Sequence, residues 1–194
     1  LALTANTLFI FTSDNGGLSS AEGSPTSNLP FRGGKGWIYE GGIRVPLIVR
    51  WPNVGKAGTT NPAAVTGLDL FPTIMEISGA DKAISDGYSL VSKIKGEVEK
   101  TEQPLYWHYP HYSNQGGMPA SAIRLGNYKL IQRLEDGRYH LYDLSKDPDE
   151  QHDLANLMPE KAEQLRSMLF SWYIEVDAEF LREKDGKTPW KPEL

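Results

Sequence analysis

The second half of the chain carries the pattern that most restricts its fold. Three runs of mainly aromatic and β-branched residues, at 105–109, 122–134 and 138–144, follow one another, and Glu135-Asp136-Gly137 joins the last two. Runs of this kind separated by a short turn containing glycine are typical of an antiparallel sheet. Beyond Pro159, apolar residues recur at the spacing of an amphipathic helix. We therefore predict a small antiparallel sheet with a helix packed on it.

The first half has a different pattern. Leu8–Phe11 is a short, wholly apolar run, which predicts a strand buried on both faces, as in a parallel sheet. Residues 43–51 indicate another strand, with Pro46 placing it at an edge or a bulge. The spacing from Leu68 to Ile77 predicts a core-facing helix that ends at Gly79. This half is therefore expected to be α/β.

Residues 80–102 are polar and are the best candidate for a boundary between two regions. We therefore predict one domain over residues 1–100 and a second over residues 101–194. With 39% hydrophobic residues in 194, the chain can bury a substantial core.

Composition excludes several classes of protein. The net charge of −5 and the scattered Lys and Arg residues argue against a nucleic-acid partner. There is no cysteine, which excludes disulfides, zinc–thiolate sites and a cysteine nucleophile within these residues. No apolar run approaches the roughly 20 residues that a bilayer requires, so no membrane partner is expected.

Asp14 and Asn15 follow the first predicted strand and precede two glycines. In open α/β sheets, binding sites lie at the carboxyl ends of strands. Carboxylate and amide oxygens suit Ca²⁺ or Mg²⁺ rather than zinc. The alternative is a plain turn without a ligand, because these residue types also dominate turns.

The second candidate site is the segment RGGKGWIYEGGIRVP, residues 32–46. It intersperses Arg32, Lys35 and Arg44 with five glycines. Glycines let backbone amides approach an anion closely, and the cations supply positive charge. Such a segment can also be an ordinary surface loop, so its meaning depends on the motifs around it.

Taken in order, IFTSDNGG, GGKGWIYEGGIRVPLIVRWP, LDLFPTIMEISGA, IRLGNYKLI and YHLYDLSKDPDEQHDLA resemble the type I sulfatases, which are arylsulfatase-like members of the alkaline phosphatase superfamily. The similarity extends over nearly the whole chain. It implies an α/β fold: the carboxy-terminal part of an alkaline-phosphatase-like α/β domain, followed by a small antiparallel sheet with a packed C-terminal helix.

The resemblance also implies roles for individual residues. Asp14 and Asn15 would bind the active-site divalent cation, which is usually Ca²⁺ in that family, with Mg²⁺ as the alternative. Lys35 would contact the sulfate ester and so act in both catalysis and substrate binding. Glu40 and Arg44 match the family pattern as well, either as a buried ion pair or as direct contacts in the site.

The family nucleophile is a formylglycine made from Cys or Ser in a C/S-x-P-S/A-R signature, and no stretch of this sequence fits it. The Asp-Asp pair that completes the metal site in the family is also absent. We therefore expect the chain to be inactive alone and to need the N-terminal half of the same enzyme as its partner. A first strand without its neighbours would then expose apolar surface.

His108 and His111 lie among aromatic residues after a predicted strand. They could line a sugar pocket, or they could pack between the two domains. The loop PHYSNQGGMP, which contains His111, resembles loops of bacterial sulfatases acting on sulfated glycans. His140 and His152 are expected at the surface.

The function expected is hydrolysis of a sulfate ester, on a small molecule or a glycan, by the enzyme to which this chain belongs. Two alternatives stay open: a phosphonate or phosphate monoester hydrolase of the same superfamily, and a glycan-binding module without catalysis. The absence of an Asn-x-Ser/Thr sequon with a permitted middle residue favours a bacterial periplasmic or extracellular location over a lysosomal one.

Overall fold

The computed structural model describes residues 3–19, 23–81, 84–97 and 103–188. Its helices and strands, in chain order, are β1 Phe9–Phe11, α1 Glu40–Ile43, β2 Ile48–Arg50, α2 Leu70–Ser78, α3 Val91–Lys95, β3 Leu105–Tyr109, β4 Ala120–Leu125, β5 Tyr128–Arg133, β6 Tyr139–Asp143 and α4 Pro159–Glu175.

The chain forms two compact units, each described here by itself. The first comprises Leu1–Asp14 and Pro46–Glu102, and the second comprises Asn15–Val45 and Gln103–Leu194. The glycine-rich segment therefore groups with the C-terminal region. The division into domains at about residue 100 stays a prediction.

In the first unit, β1 and β2 pair antiparallel, with Ile10 opposite Val49. The prediction of a strand buried on both faces is wrong, because Phe9 and Phe11 are 53% and 51% exposed. No described strand other than β2 pairs with β1. The apolar surface expected of a strand without its neighbours is therefore present.

The strand β2 is shorter than the predicted run of residues 43–51. It begins at Ile48, two residues after Pro46, and Glu40–Ile43 forms the short helix α1 instead. Proline has no N–H to donate to a neighbouring strand, so Pro46 prevents β2 from beginning earlier in the chain.

The helix α2 was predicted correctly in its position and its end. Gly79 follows it with a φ of 70°, the left-handed conformation that commonly ends helices. The prediction that it faces a core is wrong, because Phe71 and Ile74 are 50% and 52% exposed. Its buried contact is polar: the hydroxyl of Thr73 accepts a hydrogen bond from the backbone N–H of Leu90 at 2.8 Å.

In the second unit, β3, β4, β5 and β6 form an antiparallel sheet in that order, which confirms the predicted sheet. The predicted run of residues 122–134 contains two strands, β4 and β5, which a turn at Gly126 connects. The sheet therefore has four strands, whereas the sequence showed three runs. Ile123 and Leu130 are fully buried on one face, where they pack with Leu165 and Leu169 of α4. The helix predicted on the sheet is therefore confirmed.

The opposite face of this sheet is also apolar. Ala122, Ile131 and Tyr142 pack there with Ile38 of the glycine-rich segment. The sheet thus lies between α4 and the segment Asn15–Val45, which carries the predicted anion-binding motif. None of the described helices combines the length and the hydropathy needed to cross a bilayer.

Candidate active site

Backbone hydrogen bonds join the turn that contains Asn15 to the loop that contains Lys35. The N–H of Lys35 donates to the carbonyl oxygen of Gly17 at 3.1 Å, and the N–H of Gly16 donates to that of Gly42 at 2.9 Å. The two motifs singled out in the sequence therefore meet in the second unit.

The glycines allow this close approach of two backbones. A Cβ atom on Gly16 would lie 1.8 Å from the carbonyl oxygen of Gly41, and one on Gly34 would lie 2.6 Å from that of Gly17. Both distances are far below van der Waals contact. No larger residue can stand at either position without moving the other backbone.

The side chain of Asn28 binds both segments. Its Oδ1 accepts from the N–H of Gly17 at 3.0 Å, and its Nδ2 donates to the carbonyl oxygens of Gly17 and Gly33 at 2.8 and 3.1 Å. Nδ2 also lies 3.1 Å from the hydroxyl of Ser19. Asn28 was not predicted as a site residue, because its local sequence signal is that of an ordinary turn residue.

Asp14 is exposed, and Asn15 is partly buried. Their side chains offer the oxygen donors that hard divalent cations prefer. Within the described ranges, no group of three or more His, Asp or Glu side chains gathers to hold a metal ion. Because Ca²⁺ takes about six to eight oxygen ligands, this pair fits such a site in part and needs further ligands from elsewhere.

The three cations of the glycine-rich segment have different surroundings. The guanidinium of Arg32 lies 4.0 Å from the ring centre of Tyr39, and that of Arg44 lies 4.6 Å from the ring centre of Phe31. Lys35 is exposed, and none of the described residues forms an ion pair or a hydrogen bond with its ammonium group. Its ammonium therefore has donors available for an anionic ligand.

A buried ion network holds this segment on the sheet. Lys129 of β5 is fully buried, and its Nζ lies 3.0 Å from Oε1 of Glu40 and 2.8 Å from Oε1 of Glu150. The backbone N–H of Glu40 also donates to Oε2 of Glu150 at 2.6 Å. Burial raises the pKa of the Glu150 carboxyl, although the Lys129 ammonium opposes that rise.

Glu40 is therefore part of a buried ion network, with Lys129 as its nearest cation. Arg44 lies at the edge of the network, 3.6 Å from Oε2 of Glu40, with 47% of its side chain exposed. The sequence analysis missed Lys129 and Glu150. The sequence does contain a signal for Lys129, because a charged residue stands at an inward-facing position of a predicted strand, between Tyr128 and Leu130.

His108 is held within the fold. Its Nδ1 lies 2.7 Å from the Ser121 hydroxyl and its Nε2 lies 2.5 Å from the carbonyl oxygen of Glu179. Its ring packs edge-on against Tyr173 of α4, and burial lowers the pKa of the imidazole. His108 thus faces α4, on the side of the sheet opposite the segment that carries Lys35.

His111 follows β3 in a loop that approaches the Lys35 loop. A Cβ atom on Gly117 would lie 1.6 Å from the carbonyl oxygen of Gly36, and the indole N–H of Trp37 donates to the carbonyl of Gln115 at 3.3 Å. The structure therefore fixes the loop of His111 beside the residue that follows Lys35. The substrate-binding roles of both histidines stay predictions.

Known proteins resemble this chain in sequence and in fold. Residues 33–176 match the family described as N-sulphoglucosamine sulphohydrolase, C-terminal. A sulfatase of Formosa agariphila is 36% identical over 91% of this chain and 34% of that protein. Human arylsulfatase A is 32% identical over 87% of this chain and 38% of that protein. The crystal structure of Ps i-CgsB in complex with k-i-k-neocarrahexaose has a TM-score of 0.75 at 28% identity, covering 97% of this chain and 39% of that one.

These matches define the fold class as that of the C-terminal region of sulfatases. The chain belongs to the sulfatase family, which confirms the resemblance drawn from its sequence motifs. It spans about a third of the length of the curated relatives compared above. Membership is consistent with a metal ion and a formylglycine as cofactors.

Proposed function

We propose that this chain is part of an enzyme that hydrolyses sulfate esters of carbohydrates. The observation that carries the proposal is the hydrogen-bonded assembly of the Asn15 turn with the Lys35 loop in a chain of the sulfatase family. In this proposal the nucleophile is a formylglycine from a part of the enzyme outside these 194 residues.

We propose Asp14 and Asn15 as two of the ligands of a divalent cation. Their oxygen donors favour Ca²⁺, with Mg²⁺ as the alternative. When bound, such a cation supplies positive charge to the sulfuryl oxygens. The remaining ligands come from outside this chain.

Lys35 donates hydrogen bonds to the sulfate group in this proposal. An ammonium is a compact cation with three donors, and it suits a tetrahedral oxyanion. Negative charge grows on the oxygens of the leaving group and the sulfuryl group as the S–O bond breaks. A cationic donor fixed before the reaction stabilises that charge more than it stabilises the substrate.

A carbohydrate substrate is supported by the neocarrahexaose bound to Ps i-CgsB. An open groove of about 410 Å³ also runs along the second unit, and its wall includes Asn28, Arg32 and Gly33. We propose that His111 contacts the sugar directly. His108 faces α4 on the other side of the sheet, so in this proposal it packs within the fold.

The test is the turnover of an aryl sulfate by the intact enzyme and its Lys35→Ala variant. We expect kcat/KM to fall by about 10²–10³, the loss typical of removing one such donor. Lys146→Ala is the matched control, because 83% of the Lys146 side chain is exposed. Unchanged turnover in Lys35→Ala would contradict the proposal.

Two further outcomes would identify an alternative function. Faster hydrolysis of an aryl phosphonate or phosphate than of the sulfate would indicate a phosphorus ester hydrolase. Glycan binding that survives Asp14→Ala and Lys35→Ala, without turnover of any ester, would indicate a binding module.

Removal of metal with EDTA, followed by addition of Ca²⁺ or Mg²⁺ to parallel samples, tests the identity of the cation.

A further inference from the structure

Asn28 is the side chain that ties the two halves of the proposed site together. Its carboxamide bonds to Gly17, two residues after Asn15, and to Gly33, two residues before Lys35. The carbonyl oxygen of Gly17 accepts both from Nδ2 of Asn28 and from the N–H of Lys35. One carbonyl is therefore shared by Asn28 and the backbone of Lys35.

The space around the carboxamide is closed on both sides. A Cβ atom on Gly17 would lie 2.8 Å from Oδ1 of Asn28, and one on Gly34 would lie 2.7 Å from its Nδ2. Gly17 and Gly34 therefore lie close to the amide group, on two different loops. A shift of Asn28 must move one loop relative to the other.

The neighbours of Asn28 in the chain contribute little to the core. Leu29 is 84% exposed, and Ser27 and Pro30 are exposed as well. The apolar clusters of the second unit do not include Asn28. Its four polar contacts therefore order the two loops rather than build the hydrophobic core.

We propose that Asn28 is a positioning residue, which fixes the backbone that carries Lys35 relative to the turn that contains Asn15. The inference rests on the proposed function, because it assumes that Lys35 acts on the sulfate. Asn28 itself contacts neither the sulfate nor the metal. It acts through Gly17 and Gly33, and a displacement of about 1 Å at a reacting centre is enough to slow an enzyme by about 10²-fold.

The experiment uses the intact enzyme with an aryl sulfate, and it compares Asn28→Asp, Asn28→Ala, Lys35→Ala and the double variant Asn28→Ala/Lys35→Ala. Asn28→Asp keeps the acceptor for Gly17 but loses the Nδ2 donor. We expect kcat to fall by about 10–100-fold in both Asn28 variants. The double variant should be no slower than Lys35→Ala, because Asn28 acts through Lys35.

The control is Asn61→Asp. Asn61 also bonds to backbone through both ends of its amide, accepting from the N–H of Ala63 at 3.0 Å and donating to the carbonyl of Lys93 at 3.2 Å. Asn61 belongs to the first unit, whereas Asn28 and the two loops that it bonds belong to the second. The kcat of the Asn61→Asp enzyme should equal that of the unsubstituted enzyme.

Three results would overturn the inference. If the fold decrease in kcat of the double variant is the product of the decreases in the two single variants, Asn28 and Lys35 act independently. A lower Tm with normal kcat in Asn28→Asp would assign Asn28 to stability alone, and normal kcat with normal Tm would leave it without a role. Normal turnover in Lys35→Ala would contradict the proposed function, and this result does not depend on the Asn28 variants.

Discussion

The two faces of the C-terminal sheet are covered in different ways. On one face, α4 buries leucines such as Leu165 and Leu169 against the apolar side chains of β4, β5 and β6. On the other, the glycine-rich segment is held by Ile38, by backbone contacts and by the ion network of Lys129. The first face depends on apolar area, whereas the second depends on a few polar atoms at fixed positions. Single substitutions should therefore act differently on the two faces.

The largest effect is expected for Lys129→Met. Removal of the ammonium leaves the buried carboxylate of Glu150 without its ion-pair partner. Glu40 keeps only the more distant guanidinium groups of Arg44 and Arg124. The free energy of unfolding should therefore fall by roughly 3–5 kcal/mol. Urea unfolding of the intact enzyme measures it. Lys146→Met is the matched control, since that side chain is 83% exposed, and it should change stability by less than about 1 kcal/mol.

A combined variant separates the two causes of that loss. Replacing Glu40 and Glu150 by Gln in the Lys129→Met background removes the uncompensated charges. Part of the lost stability should then return, because the penalty comes mainly from unpaired charge. A further loss instead would mean that the carboxylates have partners other than Lys129 that matter more.

On the helix side, Leu165→Ala should cost about 3 kcal/mol, because the side chain is fully buried and its removal leaves a cavity. Leu157→Ala provides the comparison, since Leu157 is 77% exposed and should lose less than about 0.5 kcal/mol. Denaturant midpoints of the two variants measure the difference. Equal midpoints would show that burial by α4 does not determine the stability of this face.

Gly16→Ala tests the backbone contacts of the segment. The new methyl group would lie 1.8 Å from the carbonyl oxygen of Gly41, so we expect a loss of roughly 1–3 kcal/mol and a slower turnover. Gly67→Ala serves as the control, because no atom lies within 4 Å of its added Cβ. Both thermal unfolding and aryl sulfate turnover should be measured. Normal values for Gly16→Ala would show that the segment can move apart without loss.

The smallest effect is expected for Asp153→Asn at the end of the sheet. Burial alone would raise the pKa of Asp153, but the N–H groups of Ala155 and Leu141 and the ring of His140 outweigh it and hold the pKa low. A lowered pKa stabilises the fold above the unfolded value of about 3.9, and this contribution is lost as the pH falls through the folded value.

Asp153→Asn should therefore lose about 1 kcal/mol at pH 7, a modest value because the side chain is 38% exposed. The difference between the two proteins should close as the pH falls through the lowered pKa of the native Asp153 carboxyl. Unfolding curves at several pH values measure it. A difference that is constant with pH would assign the effect to packing rather than to charge.

The sequence predicted the helix side of the sheet well. The spacing of Leu165, Leu169 and Tyr173 places them on one stripe of a helix, and the alternation around Ile123 and Leu130 gives two apolar faces to the strands. These signals are local, so they can be recognised without knowing the fold. The same reasoning failed for Phe9 and Phe71, whose apolar character predicted burial although both side chains are about half exposed.

The other face could be predicted only in part. The glycines and Lys35 were visible as a motif, and the resemblance to sulfatases gave Asn15 its proposed role. The contacts of Asn28 with Gly33 depend on how two loops fold back on each other, and sequence spacing contains no such information. The partners of Lys129 were unpredictable for the same reason, because they come from distant parts of the chain.

The ion network also sets an order of events during synthesis. Glu40 precedes Lys129 by 89 residues and Glu150 by 110. At about 5–20 residues per second, a ribosome needs about 5–20 s to deliver both partners after it has made Glu40. During that interval the segment that carries Lys35 lacks the contacts that Lys129 and Glu150 later provide. A chain that stops before Glu150 therefore keeps the motif intact but lacks the carboxylate that joins Lys129 to the backbone N–H of Glu40.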